Sequence, residues 1–383
     1  MKAGRALGLA FALAAAATVV CGVVGYACGG RPFVEGVLLV LEEPEADLRE
    51  APSVEAWLRL HRDDVGLVVA TVRPDGTLDE TLSWNEDVAR PLASAVKLVH
   101  LTAYALDVSD GRVTPDTVVP RADWEGSYVE GTDGGAHARS LARLGLGSDG
   151  DPTLDQLVSA MITESDNAAA DALLARLGDA SIERARGAFA IDGRIEVDPV
   201  HPLLGALLAT EDPNVCEVSV PDLWTAMEAS AASFRKVRVA FALPSLEAQR
   251  TRFDCVWPRA TPRAFARVMG EVAAGEGLPV KAIEVMRRHL EWPMAFESNQ
   301  RRFERFGAKG GSLAGMLTES FYVVPRDGPY AGQGRVVILF LQHVSFTAWL
   351  GLVSSFKHQD VMLTLATNPD SSTLSPALER AAP

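Results

Sequence analysis

The chain has 383 residues, 48% hydrophobic and 22% charged, the composition of a globular protein with a substantial core and not of a disordered or fibrous one. With 36 Lys and Arg against 50 Asp and Glu, the formal charge is −14. A nucleic-acid partner is excluded, because phosphate neutralisation needs clustered basic residues and no long basic run occurs.

Lys2 and Arg5 precede an uncharged apolar run over residues 6–28, "ALGLAFALAAAATVVCGVVGYAC". A basic start followed by an apolar stretch marks a secretory signal, and the length also meets the roughly 20 residues of a bilayer span. Residues 1–30 are therefore expected to be a cleaved signal peptide or a retained membrane anchor. Lipidation at Cys28 fits less well, since Gly25 and Tyr26 make a poor lipidation box. All three readings export the remainder, to a periplasmic or extracellular location. Residues 31–52, with "EEPEADLREAP", read as an acidic, proline-punctuated linker. The folded domain is placed at 53–383.

Export makes the cysteines readable. Cys21 and Cys28 belong to the targeting run, which leaves Cys216 and Cys255 in the folded part. An even pair in an oxidising compartment suggests a disulfide. Two separate buried thiols are the alternative, because free cysteine is itself a common core residue.

The domain opens with a helix, "SVEAWLRLHRD", capped by Ser53. "VGLVVATV" and "TLDETLSW" form a hairpin around "RPDG". The next segment, "PLASAVKLVHLTAYAL" from Pro91 to Leu106, is among the most apolar helices in the chain. Yet Ser94 and Lys97 share a face of its first turn. A lysine on such a helix either snorkels to water or is buried for a purpose. His100 on the same helix reads as a satisfied core residue.

Leu154 to Glu164 is amphipathic and starts with Thr153 and Gln156 at capping-box spacing. "NAAADALLARLG" follows and stops at Gly178, a C-cap. "TPRAFARVMGEVAAG" begins with a cap and a proline, Thr261 and Pro262. "RFGAKGGSL", "TESFYVV" and "GRVVILFLQHV" then have strand composition, and "QDVMLTLA" forms a last helix. Strands at both ends with helices between them predict an α+β fold. Its antiparallel sheet is built from both chain ends, with an all-helical lobe inserted, and the cleft between the lobes is the natural ligand site.

Three fragments carry chemistry. Ser94-Ala95-Val96-Lys97 offers a hydroxyl nucleophile beside a base, at a helix start whose free N–H groups suit an oxyanion. Lysine serves as that base only if burial or a nearby cation depresses its pKa. Ser165-Asp166-Asn167 lies between two helices, where such residues also serve as plain caps. Lys309-Gly310-Gly311-Ser312 lies on a strand, where glycines mark close approach by a ligand or another backbone. Each fragment alone has an ordinary structural explanation.

Together, in this order and on these elements, they match the three-motif serine acyl-transferases. The sequence resembles the class A β-lactamase family and related penicillin-recognising serine hydrolases, with a β-lactamase/transpeptidase-like fold, from about Gly66 to Val344. The resemblance implies that Ser94 is acylated and that Lys97 is its base. Ser165 passes a proton towards the leaving nitrogen, and Asn167 holds Lys97 and the substrate amide. Lys309 attracts a substrate carboxylate and depresses the Lys97 pKa. The N–H groups of Ser94 and Ser312 form the oxyanion hole, with Gly310 and Gly311 lining the substrate strand.

Two departures stand out. Gly310 occupies the position where the family has Thr or Ser, removing a hydroxyl that binds the substrate carboxylate. The Glu-x-x-Leu-Asn element, whose glutamate activates deacylating water in class A enzymes, is missing from "IEVDPVHPLLGALLATEDPN". Glu196, Asp198 and Glu211 are the carboxylates near that place. The stretch from Ser165 to Thr261 is also longer than the family needs, so an insertion over about 195–260 near the cleft is expected, stapled by the two cysteines.

The expected function is that of an exported serine hydrolase forming an acyl-enzyme, hydrolysing β-lactam amide bonds with slow deacylation. A D-Ala-D-Ala carboxypeptidase, transpeptidase or esterase of the same fold is the alternative. A non-catalytic envelope binding protein is a third reading, opposed by the intact Ser94, Lys97, Ser165, Asn167 and Lys309. The partner is a small-molecule substrate, acted on by a monomer. The seven histidines are scattered, so neither a metal nor another cofactor is expected.

Overall fold

β-Branched and aromatic density at the two ends of the chain becomes one sheet. The computed structural model describes residues 48–128, 133–147, 150–189 and 245–374, together with 35, 36, 38, 207 and 215–217. The apolar run over 6–28 lies outside the described residues, and so do Glu196, Asp198 and Glu211.

In chain order, α1 (Ala51–Leu60) leads to the hairpin of β1 (Val65–Val72) and β2 (Leu78–Trp84), then to the short β3 (Arg90–Pro91). The helical lobe comprises α2 (Lys97–Ser109), α3 (Arg121–Gly126), α4 (Ala136–Leu144), α5 (Leu154–Thr163), α6 (Asn167–Leu177) and α7 (Asp179–Ala188). After α8 (Leu246–Val256), β4 (Arg259–Ala260) pairs with β3 and precedes α9 (Pro262–Ala274), α10 (Val280–Leu290) and α11 (Glu297–Arg302). The chain returns through β5 (Phe303–Leu313), β6 (Met316–Pro325) and β7 (Arg335–Leu341), and closes with α12 (Phe346–Ser355) and α13 (Lys357–Thr367).

The main sheet has five strands in the order β2-β1-β7-β6-β5, and every pairing is antiparallel. The chain ends meet where β1 pairs with β7, Val65 opposite Leu341. Alternate residues feed two cores. Val68, Ala70, Ile338 and Phe340 face the helical lobe, while Leu67, Val69, Leu339 and Leu341 face the layer of α1 and α13. Burial on both faces explains the unbroken apolar run "VVILFL" in β7. Each fully buried Leu, Ile or Val there contributes about 1.5–3 kcal/mol.

Local signals mostly hold. Thr153 and Gln156 form a reciprocal capping box at the start of α5, and Thr261 caps α9 by accepting the Ala264 N–H at 3.2 Å. The first helix differs. It begins at Ala51, with Glu50 at the cap position and Pro52 in the first turn, so Ser53 lies inside it. Proline has no N–H to leave unsatisfied there, which favours the earlier start. The packed fold also reaches back into the stretch read as linker: Leu48 is buried, and its carbonyl accepts from Ser355 Oγ at 3.0 Å.

Cys216 and Cys255 are joined in a disulfide with a Cα–Cα distance of 5.4 Å. It ties α8 to the turn Val215–Glu217. Among the described residues no helix is long and apolar enough to cross a membrane.

Candidate active site

Ser94 lies in a 3₁₀ turn, Ala93–Val96, that runs directly into α2. Ala93 is left-handed, φ 44°, a strained conformation for a residue with a Cβ. Contacts from three directions hold it. The Leu92 N–H donates to the Pro258 carbonyl at 2.8 Å, Thr318 Oγ1 donates to the Leu92 carbonyl at 2.8 Å, and Trp257 Nε1 donates to the Ala93 carbonyl at 3.1 Å. Gly311 on β5 lies against the same turn. A Cβ there would stand 2.3 Å from Ser94 N and 2.7 Å from Ala95 N. Only glycine lets the strand backbone come this close to Ser94.

Lys97 is fully buried, and its chemistry follows from where its neighbours stand. Nζ donates to the Ser165 carbonyl at 2.7 Å and to Asn167 Oδ1. It lies 3.1 Å from Ser94 Oγ and 3.1 Å from Ser165 Oγ. The first two partners are pure acceptors, so they engage two N–H bonds. In the neutral amine the remaining position is a lone pair, on the side of the two hydroxyls. Burial, and after it the charge of Lys309, hold the Lys97 pKa well below the ordinary lysine value. Lysine in this state is a base.

Lys309 Nζ contacts Ser165 Oγ at 3.1 Å and the Gly310 carbonyl. Burial lowers its pKa to about 8, opposed by the carboxylate of Glu319. Ser165 therefore stands between two lysines, in a left-handed conformation with φ 63°. It is the single residue between the C-cap of α5, Glu164, and the N-cap of α6, Asp166. Asp166 accepts the Ala169 N–H at 3.0 Å and contacts His137 Nδ1 at 3.0 Å. His137 is itself stacked on Tyr128 at 4.4 Å and edge-on to Trp124 at 5.0 Å. The middle residue of the Ser-Asp-Asn fragment thus anchors the turn while its neighbours face the site.

The residues predicted from sequence converge: Ser94, Lys97, Ser165, Asn167 and Lys309 form one hydrogen-bonded cluster. Gly310 and Gly311 lie beside it on β5, and Ser312 Oγ accepts from Trp349 Nε1 at 2.7 Å. Among the described residues no carboxylate is hydrogen-bonded to Ser94 or Lys97. Nor does any group of three or more His, Cys, Asp or Glu side chains stand ready to hold a metal ion among them.

Residues 51–188, which include Ser94, Lys97, Ser165 and Asn167, match the model of the beta-lactamase enzyme family. No curated protein sequence matches the chain. Among solved structures, a mutant of the class A beta-lactamase of the last common ancestor of Gram-negative bacteria has a TM-score of 0.50. It is 17% identical, with 83% of this chain and 98% of that one covered. A beta-lactamase from Sphaerobacter thermophilus gives 0.49 at 19% identity, covering 81% of this chain and 97% of its own. PBP-A, in an acyl-enzyme complex with penicillin G, gives 0.45 at 16% identity over 83% and 97%. The match at 0.50 shows a shared fold. Family segment and fold together bear out the resemblance read from the three fragments.

Several residues around this beta-lactamase-like site escaped the sequence reading. His137, Trp257 and Trp349 support its three fragments from distant elements, and no local pattern announces them. Glu319 lies opposite Gly310 in the β5–β6 register, and that register could have been counted from the tight turn at Gly315. His100 is buried as expected but not satisfied: neither ring nitrogen has a hydrogen-bond partner among the described residues. Burial and then the charge of Lys97 push its pKa to about 3, so it stays a neutral core residue.

Proposed function

We propose that this chain is an exported serine hydrolase that forms an acyl-enzyme at Ser94, of β-lactamase type, with slow deacylation. One observation carries the reading: buried Lys97 spends two N–H bonds on Ser165 O and Asn167 Oδ1, which leaves its lone pair beside Ser94 Oγ at 3.1 Å. In the forward step Lys97 takes the Ser94 hydroxyl proton as Oγ bonds to the substrate carbonyl carbon. The oxyanion forms beside the backbone N–H groups of Ser94 and Ser312. The proton then passes from Lys97 to Ser165 Oγ, and from Ser165 to the leaving nitrogen, as the C–N bond breaks. Lys309 steadies Ser165 and offers positive charge at the substrate strand.

Hydrolysis of the acyl-enzyme needs a water held by a base. The dedicated glutamate element is absent from the sequence, and Lys97 must serve a second time after giving up its proton. General-base assistance is worth roughly 10²–10⁴ in rate, so the intermediate accumulates. The test is pre-steady-state kinetics with a chromogenic β-lactam: a burst of one equivalent followed by a slow steady state supports the reading. Fast turnover without a burst would place a deacylating base among Glu196, Asp198 and Glu211. The second reading, an esterase or peptidase with the same acyl-serine chemistry, is favoured by the missing hydroxyl at Gly310. Export rests on the apolar run over 6–28, and a single copy holds every residue the chemistry uses.

A further inference from the structure

The departure at Gly310 is one half of a pair. Across the β5–β6 register it faces Glu319, and a Cβ built at 310 would meet Glu319 Oε2 at 2.4 Å and Cδ at 2.7 Å. The carboxylate therefore occupies the space that a threonine or serine side chain would take. Glu319 is buried, 7% exposed, and its two oxygens differ. Oε1 accepts from Gln359 Nε2 at 2.9 Å and faces His358 Nε2 at 3.2 Å. His358 Nδ1 lies 3.1 Å from the Leu352 carbonyl, a pure acceptor, so that nitrogen carries a hydrogen. Oε2 receives no donor from any described residue. It lies over the Gly310 backbone, at the edge of a pocket of about 330 Å³ lined by Ser165, Lys309, Gly310, Phe296 and Gln359.

We propose that Glu319 turns the subsite beside Lys309 into a hydrogen-bond acceptor, selecting acyl donors that present an N–H, hydroxyl or ammonium group there over those that present a carboxylate. The proposal rests on the acyl-serine reading above and names the substrate class of that same site. Lys309 is the one cation lining this pocket among the described residues. Two of its contacts are already committed, to Ser165 Oγ and to the Gly310 carbonyl. Glu319 spends Oε1 on His358 and Gln359, and Oε2 is left as an acceptor; an incoming carboxylate is acceptor-only and has nothing to donate to it. A donor group meets an unfilled oxygen. Leaving this buried acceptor without a donor slows the step by about tenfold to a hundredfold.

The test compares benzylpenicillin with its primary carboxamide, which share the lactam and acyl group and differ in that the amide presents an N–H where the acid presents a carboxylate. Acylation rate constants at Ser94 are read by intact-protein mass spectrometry. The wild-type chain is expected to react about tenfold or more faster with the amide, and Glu319→Gln, folded by circular dichroism, to shrink that ratio by about tenfold. Faster wild-type reaction with the free acid overturns the proposal without any variant, and an unchanged ratio in folded Glu319→Gln overturns it as well. A fluorophosphonate probe separates the two levels. Labelling of Ser94 together with the wrong ratio overturns this inference alone, whereas absence of labelling overturns the acyl-serine reading and this inference with it.

Discussion

A buried lysine is costly to fold around, and this site holds two, Lys97 and Lys309, each 3.1 Å from the same Ser165 hydroxyl. Desolvation disfavours the charged form of both, and their mutual repulsion adds to it at Lys97. The pair therefore divides the work: one lysine neutral and basic, the other cationic near neutrality. A pH dependence follows with a definite sign. Acylation rises as pH climbs through the depressed Lys97 pKa, because the neutral amine is the active form. It falls as pH passes about 8, where Lys309 loses its proton. Rate constants for fluorophosphonate or ester acylation measured against pH should trace that bell, and in Lys309→Met the descending limb should vanish. A descending limb that survives in Lys309→Met would show that another group controls it.

At the scale of elements, the site is assembled from pieces that each violate a local preference. The turn before Ser94 holds Ala93 at φ 44°, the loop between α5 and α6 holds Ser165 at φ 63°, and β5 carries two adjacent glycines. The contact between β5 and the Ser94 turn is the tightest of these. In Gly311→Ala the new Cβ would lie 2.3 Å from Ser94 N, and the strand must retreat. Displacement of that size is expected to slow acylation by about 10²-fold and to destabilise the fold by about 1–3 kcal/mol. Acylation kinetics and a denaturant titration check both. Unimpaired acylation would show that Ser94 tolerates a looser strand. The three fragments were legible because each is contiguous and sits on a readable element. Helix α12 was not, because "FTAWLGLVSS" mixes aromatic and β-branched residues with a glycine, and its clearest signal is the Ser345 cap, which accepts the Ala348 N–H at 3.3 Å. Glu319 was hidden for a different reason: its role comes from pairing across the sheet and not from its neighbours in sequence.

Over the whole molecule, the two-ended sheet fixes the geometry of the cluster around Ser94. The helical lobe brings Ser94, Lys97, Ser165 and Asn167, the sheet brings Lys309 and the glycines, and the core on the lobe-facing side of the sheet holds the two together. That architecture was readable from strand composition at both chain ends. The partners of His137 and Trp257 were not, since they arise only when distant elements pack. The disulfide ties the stretch before α8 into this frame with a sequence separation of 39, and in the loop-entropy account its removal costs about 3–4 kcal/mol. A Cys216→Ser/Cys255→Ser chain should melt several degrees lower than the oxidised wild type; equal melting temperatures would show that the bond constrains nothing. Peptide mapping by mass spectrometry after fluorophosphonate treatment tests whether Ser94 is the nucleophile and Lys97 its base. One adduct is expected, on the peptide carrying Ser94, lost in Ser94→Ala and slowed roughly 10²–10⁴-fold in Lys97→Ala; an adduct that persists in Ser94→Ala, or one formed at full rate in Lys97→Ala, would overturn both assignments.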